Sequence, residues 1–134
     1  GSAEDYLNYS SFSKQGLYDQ LLYEGFPEDA AQYAIDNVAT DWNQNALQTA
    51  VDYLDYSSFS YPGLYDQLVY EGYAAEQAQY ALDNVTTDWN QNALQTAIDY
   101  LEYSSFSDQG LYDQLIYEGY TAEQAQYAMN NLPQ

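Results

Sequence analysis

Apolar side chains recur along this chain at intervals of three and four residues, and nowhere alternate strictly over the length of a strand. Between Asp41 and Tyr56 the stripe is Ala46, Leu47, Ala50, Val51 and Leu54, extended one turn earlier by Trp42, with Gln48, Asp52 and Asp55 on the opposite side. The spacing predicts a helix over about 41–56, opened by Asp41 as an N-cap with Gln44 three residues on. A second helix is predicted after Ser60, whose hydroxyl can cap it. Pro62 is tolerated in the first turn, because the N–H it lacks would have no helical acceptor there. Phe59 and Leu64 stand at the positions of a hydrophobic staple. Gly72 stands where a left-handed residue would stop the helix and let Tyr73 fold back on Leu68. Leu64, Leu68 and Val69 are its expected buried residues. A third helix follows from Ala78, Ala81, Leu82 and Val85 and should end near Asn84.

The same text occurs more than once. The pattern SSFS..GLYDQL..EG[FY] runs from Ser10 to Phe26, from Ser57 to Tyr73 and from Ser104 to Tyr120, with Gly16, Gly63 and Gly110 spaced 47 residues apart. DWNQNALQTA stands verbatim at 41–50 and 88–97. A fixed period of this size is the mark of a repeat array. The expected fold class is all-α, built of tandem three-helix repeats with helix-turn-helix-like units. The expected division is residues 1–40, with the first helix shortened to about Ala3–Tyr9, then 41–87 and 88–134. Thr121 with Gln124 gives the third helix of the last repeat a capping box, where Pro27 and Ala74 offer weaker starts in the other two. Gly1-Ser2 reads as an expression remnant and the chain as a segment of a longer array or of a longer protein.

Charge changes what these helices can be for. Twenty-one acidic residues stand against a single base, Lys14, giving a net charge of −20. Binding to a phosphate backbone requires lysines and arginines, so the helix-turn-helix appearance does not translate into DNA binding. A protein with a basic surface is the complementary partner. Cysteine and histidine are both absent, which removes thiolate chemistry, zinc-thiolate sites and the usual general base. No enzymatic activity, cofactor or metal is expected. Asp41, Asn43, Asn45 and Asp52 imitate the spacing of a calcium loop, but Ala46 occupies the place that needs glycine and the segment reads as a helix start. No apolar run reaches membrane-spanning length.

Of the 18 tyrosines, Tyr53, Tyr65 and Tyr80 lie beside apolar stripes and read as packing, whereas Tyr56, Tyr61 and Tyr70 fall toward polar faces and suit a contact surface. The candidate partner-binding surface is therefore acidic and aromatic: Asp52, Asp55, Tyr56, Asp66, Tyr70, Glu71, Asp99, Glu102, Tyr103, Asp113 and Glu118. Two other uses of such a surface are open at this point, a structural or adhesive repeat spacer and an acidic mimic of nucleic acid.

The order DWNxNAL, A..YL…SFS..GLYDQL, YEGF or YEGY, then EQAQYA..N resembles the host cell surface-exposed lipoprotein (Ltp) family, from about Ala3 to Leu132. The resemblance implies a Gram-positive or prophage-encoded protein, secreted and held at the cell surface by a lipid anchor that lies outside this sequence. It implies superinfection exclusion, in which entry of phage DNA is blocked through contact with the phage tape measure protein, and it implies no catalytic residues. The surface departs from the family in one respect: positions that commonly carry lysine read Gln, Asp, Tyr or Thr here.

Overall fold

The computed structural model describes residues 1–133 and, among them, consists of helices without a strand. In chain order these are α1 (Ser2–Tyr9), α2 (Lys14–Tyr23), α3 (Glu28–Asn37), α4 (Trp42–Tyr56), α5 (Tyr61–Tyr70), α6 (Ala75–Asn84), α7 (Trp89–Tyr103), α8 (Asp108–Tyr117) and α9 (Ala122–Asn130). The all-α class and the three-helix repeats are thus present. Asp88 caps α7 by accepting from the backbone N–H groups of Asn90 and Gln91, and Asp41 accepts from those of Asn43 and Gln44 at the start of α4. The calcium-loop spacing is therefore explained by a helix cap.

The middle helix of every repeat is fixed at both ends. Ser13, Ser60 and Ser107 accept from the N–H of Gly16, Gly63 and Gly110. Gly25, Gly72 and Gly119 have φ of 98°, 101° and 104°, the region an L side chain avoids. Each is followed by a Schellman pair: in α5, Gly72 N–H donates to the Val69 carbonyl and Tyr73 N–H to that of Leu68. Thr121 and Gln124 form the full capping box of α9. Pro27 and Ala74 supply no side-chain cap, and only the reciprocal bond from Ala74 N–H to Gln77 Oε1 survives in the second repeat.

By contacts the chain divides into two compact units, residues 1–51 with 67–85, and residues 52–66 with 86–134, so the division falls inside α4 and α5. In the first unit α2 packs on α1 and α3 around Ala3, Leu17, Leu21, Ala31 and Ile35, with Phe12 and Trp42 at the margin. In the second, α9 lies mainly across α7 around Ala93, Ala97, Leu111, Leu115, Tyr120, Ala125 and Ala128. The core is thin: its largest fully buried side chains are six leucines, two in each middle helix.

One expectation needs correction. Val69 is 43% exposed and its counterpart Ile116 40% exposed. A ten-residue helix held at both ends buries a stripe only one residue wide, here Leu64 and Leu68, and the next position is turned about 100° away from it. Tyr61 is exposed as expected, though at 37% less so than Tyr56 or Tyr70, and its ring stands edge-on to Trp89 at 5.5 Å. Tyr53 behaves as expected and packs edge-on against Phe59 at 5.7 Å.

Candidate functional site: two serine-closed acidic grooves

The SSFS segment folds the same way in both units and builds a groove in each. In the first unit Ser13 Oγ, besides capping α2, donates to the Glu71 carbonyl at 2.6 Å, 58 residues away. Ser13 as a whole is only 3% exposed. Gly72 permits this approach, since a Cβ there would lie 2.7 Å from Ser13 Oγ and 2.9 Å from Gln15 Cβ. Tyr73 then enters the interior, its hydroxyl 2.7 Å from Thr49 Oγ1 and 3.2 Å from the Asn45 carbonyl. The open groove above this joint is lined by Ser10, Ser11, Asp19, Tyr70 and Glu71.

In the second unit Ser60 Oγ accepts from Gly63 N–H and donates to the Glu118 carbonyl at 2.6 Å. Tyr120 OH lies 2.7 Å from Thr96 Oγ1 and donates to the Asn92 carbonyl at 3.1 Å, and Ser58 Oγ joins Thr96 at 2.8 Å. Burial pushes the Tyr120 phenol up to about 12, because the charged form would lose its water. Burial likewise raises Tyr100. The groove is lined by Ser57, Ser58, Asp99, Tyr100, Tyr103 and Glu118.

Of the sequence-selected residues, the structure brings Asp99, Tyr103 and Glu118 together in the second unit, and Tyr70 and Glu71 together in the first. Asp52, Asp55, Tyr56, Asp66, Glu102 and Asp113 are exposed but line neither groove. Asp99 does not lie on a fully exposed face. It is half-buried, because it forms one wall of its groove and accepts from Gln95 Nε2 at 2.9 Å. Tyr56 and Tyr103 are 92% and 91% exposed. Tyr23, Tyr70 and Tyr117 are also more than four-fifths exposed and stand at one position of the 47-residue period. Tyr23 and Tyr117 escaped sequence reasoning, although the period that located Tyr70 also locates them. Thr49 and Thr96 escaped it too, since threonine next to an alanine stripe gives no apolar signal.

The negative charge is hydrogen-bonded locally yet left unneutralised. Gln15, Gln32, Gln79, Gln95 and Gln109 each donate to the aspartate one turn later, Asp19, Asp36, Asp83, Asp99 and Asp113, at 2.8 to 3.0 Å. An amide there supplies the i,i+4 helix contact that lysine would supply, without its charge. Lys14 pairs with Asp36 at 3.2 Å, and the Gln32 amide, helped by that lysine, draws the Asp36 carboxyl below its usual range. Among the described residues no group of three or more acidic side chains is placed to hold a metal, and no helix is long and apolar enough to cross a membrane.

An all-helical chain of three tandem repeats, with exposed tyrosines and carboxylates recurring along it, belongs to the class of helical-repeat proteins. The model of the host cell surface-exposed lipoprotein family matches residues 1–38, 41–85 and 88–132, and the chain belongs to that family. Among solved structures it is similar to that of Ltp, a superinfection exclusion protein from the Streptococcus thermophilus temperate phage TP-J34. The two share 31% identity over 72% of this chain and 100% of the other, with a TM-score of 0.66. No curated protein matches it in sequence.

Proposed function

We propose that this chain is a phage-resistance module displayed at the cell surface, acting by non-enzymatic binding of a basic phage protein, with the tape measure protein as the partner. Membership in a family of host surface lipoproteins and similarity to a superinfection exclusion protein support the role and the location. The observation that carries the binding mode is the pair of grooves, each offering a carboxylate and an exposed tyrosine beside the serine-closed joint. Such walls attract lysine and arginine side chains by charge and receive them on aromatic faces. With net charge −20, encounter with a basic partner is steered, so association should slow steeply with added salt.

The test is to express the chain on a susceptible host surface and measure entry of labelled phage DNA. Entry should fall for phages whose tape measure protein binds the purified chain. Undiminished entry across a broad panel overturns the exclusion role. Binding that ignores salt overturns the electrostatic mode while leaving the role intact.

A further inference from the structure

Each groove holds a carboxylate whose orientation is set before any partner arrives. In the first unit Gln15 Nε2 donates to Oδ1 of Asp19 at 2.9 Å, and in the second Gln95 Nε2 donates to Oδ1 of Asp99 at 2.9 Å. Among the described residues neither Oδ2 accepts a bond, so each carboxylate keeps one whole oxygen and a lone pair of the other for an incoming donor. Glu71 and Glu118 add a second carboxylate to the same walls. Their backbone carbonyls accept the serine joint, which fixes the corner that carries them.

A flat ring shares each groove with these carboxylates. Tyr103 follows Asp99 by one turn of α7, which puts the two side chains on one face of the helix, and Tyr103 is 91% exposed. Beside it the Tyr100 hydroxyl accepts from Gln114 Nε2 at 3.1 Å and the Tyr100 ring stands edge-on to Phe106 at 5.8 Å, so this part of the wall is held on two sides. In the first unit Tyr70, 84% exposed, directly precedes Glu71 at the end of α5. Both units thus line the groove with the same residue types: paired serines, an aspartate held by glutamine, an exposed tyrosine and a glutamate.

We propose that both grooves select arginine over lysine on the partner, with Asp19 and Tyr70 in the first unit and Asp99 and Tyr103 in the second setting the choice. The assignment rests on the reading of a basic protein partner and adds which base that partner presents. A guanidinium is planar, weakly hydrated and carries its N–H donors in a fork. It can lie on an exposed tyrosine ring while two parallel N–H groups reach one carboxylate. The ammonium of lysine is a compact, strongly hydrated point charge. In a groove open to solvent it keeps its water and gains little beyond the long-range attraction. Holding Asp19 and Asp99 in place in advance lowers the ordering cost of the bidentate contact, which only arginine can make.

The experiment is calorimetric titration of the full chain with two peptides of equal length and charge, one carrying arginine and the other lysine at every basic position. At low salt a chain of charge −20 holds either peptide diffusely, whereas at about 0.3 M salt screening leaves the short-range contacts of the grooves. There the arginine peptide should bind roughly three- to tenfold more tightly. Tyr70→Leu combined with Tyr103→Leu, both at exposed helix positions, should abolish the preference with an unchanged helical circular dichroism signal. Tyr23→Leu combined with Tyr33→Leu removes exposed rings that line neither groove and should leave the preference as it is. Equal affinities for the two peptides at both salt levels would overturn arginine selection and leave the basic-partner reading standing. Binding of neither peptide at low salt would overturn that reading as well. An arginine preference that survives the loss of Tyr70 and Tyr103, or that vanishes with Tyr23 and Tyr33, would overturn its assignment to the grooves.

Discussion

Ser60 Oγ accepts from the N–H of Gly63 at 3.0 Å and donates to the carbonyl of Glu118 at 2.6 Å, so one hydroxyl starts α5 and finishes α8. Ser107 holds the same place in the third repeat and, among the described residues, does only the first of these. The chain thus contains its own control for the value of the joint. Ser107→Ala should cost about 1 kcal/mol, the ordinary loss of an N-cap. Ser60→Ala should cost about 1 kcal/mol more, because the Glu118 carbonyl also loses its donor. Urea melts of the two variants followed by circular dichroism read the difference directly. Equal losses would mean that the long-range bond contributes nothing.

The glycines offer a second internal comparison. Gly25 and Gly119 share a positive φ, so alanine at either is strained by roughly 1–2 kcal/mol. At Gly119 alanine additionally meets Ser60 Oγ at 2.8 Å and Pro62 Cγ at 3.2 Å, whereas at Gly25 it meets nothing. Gly119→Ala should therefore lower the thermal midpoint clearly more than Gly25→Ala. Identical midpoints for the two would show that the joint can open without loss.

Much of this architecture was legible in the sequence because it is local. Caps such as Asp41 and Thr121 and the glycine stops all depend on residues within six positions of one another. The joint was not legible. Ser13 and Glu71 are 58 residues apart, and nothing in either repeat announces that the cap serine has a second acceptor. Val69 read as core although its helix buries only two leucines. The sequence reading picked out Tyr56, Tyr70 and Tyr103 but not the equally exposed Tyr23 and Tyr117, nor which tyrosines share a groove with a carboxylate.

Tyr120 makes stability depend on alkaline pH. Its folded pKa is about 12 against an ordinary value of 10.0, so folding favours the protonated phenol. A raised folded pKa means that the contribution is fully present below pH 10 and is lost as pH rises from 10 toward 12. Tyr120→Phe should cost about 1 kcal/mol at neutral pH, through the lost bonds to Thr96 and Asn92. It should also flatten the decline of stability above pH 10. Urea midpoints of both proteins between pH 9 and pH 11.5 test this; parallel declines would assign the alkaline loss to other groups.

The glutamines one turn before the aspartates set the charge of the surface, and replacing them separates stability from function. Lysine at Gln79, Gln95 and Gln109 keeps the side-chain contact with Asp83, Asp99 and Asp113, now as ion pairs. Each exposed pair of this kind contributes only about 0.3 kcal/mol, and a base preceding its acid is the weaker orientation. Relief of self-repulsion acts in the same direction, so the triple variant should melt at the wild-type temperature or a few degrees above it. Its net charge falls from −20 to −17, three charges from three substitutions, and one of the three, Gln95, contacts Asp99 in the wall of the second unit's groove. If acidic steering carries phage exclusion, a host displaying this variant should lose protection by about tenfold in phage DNA entry, the scale expected when steering is weakened. Full protection by a stable triple-lysine variant would remove charge from the mechanism and leave the tyrosines as the recognition surface.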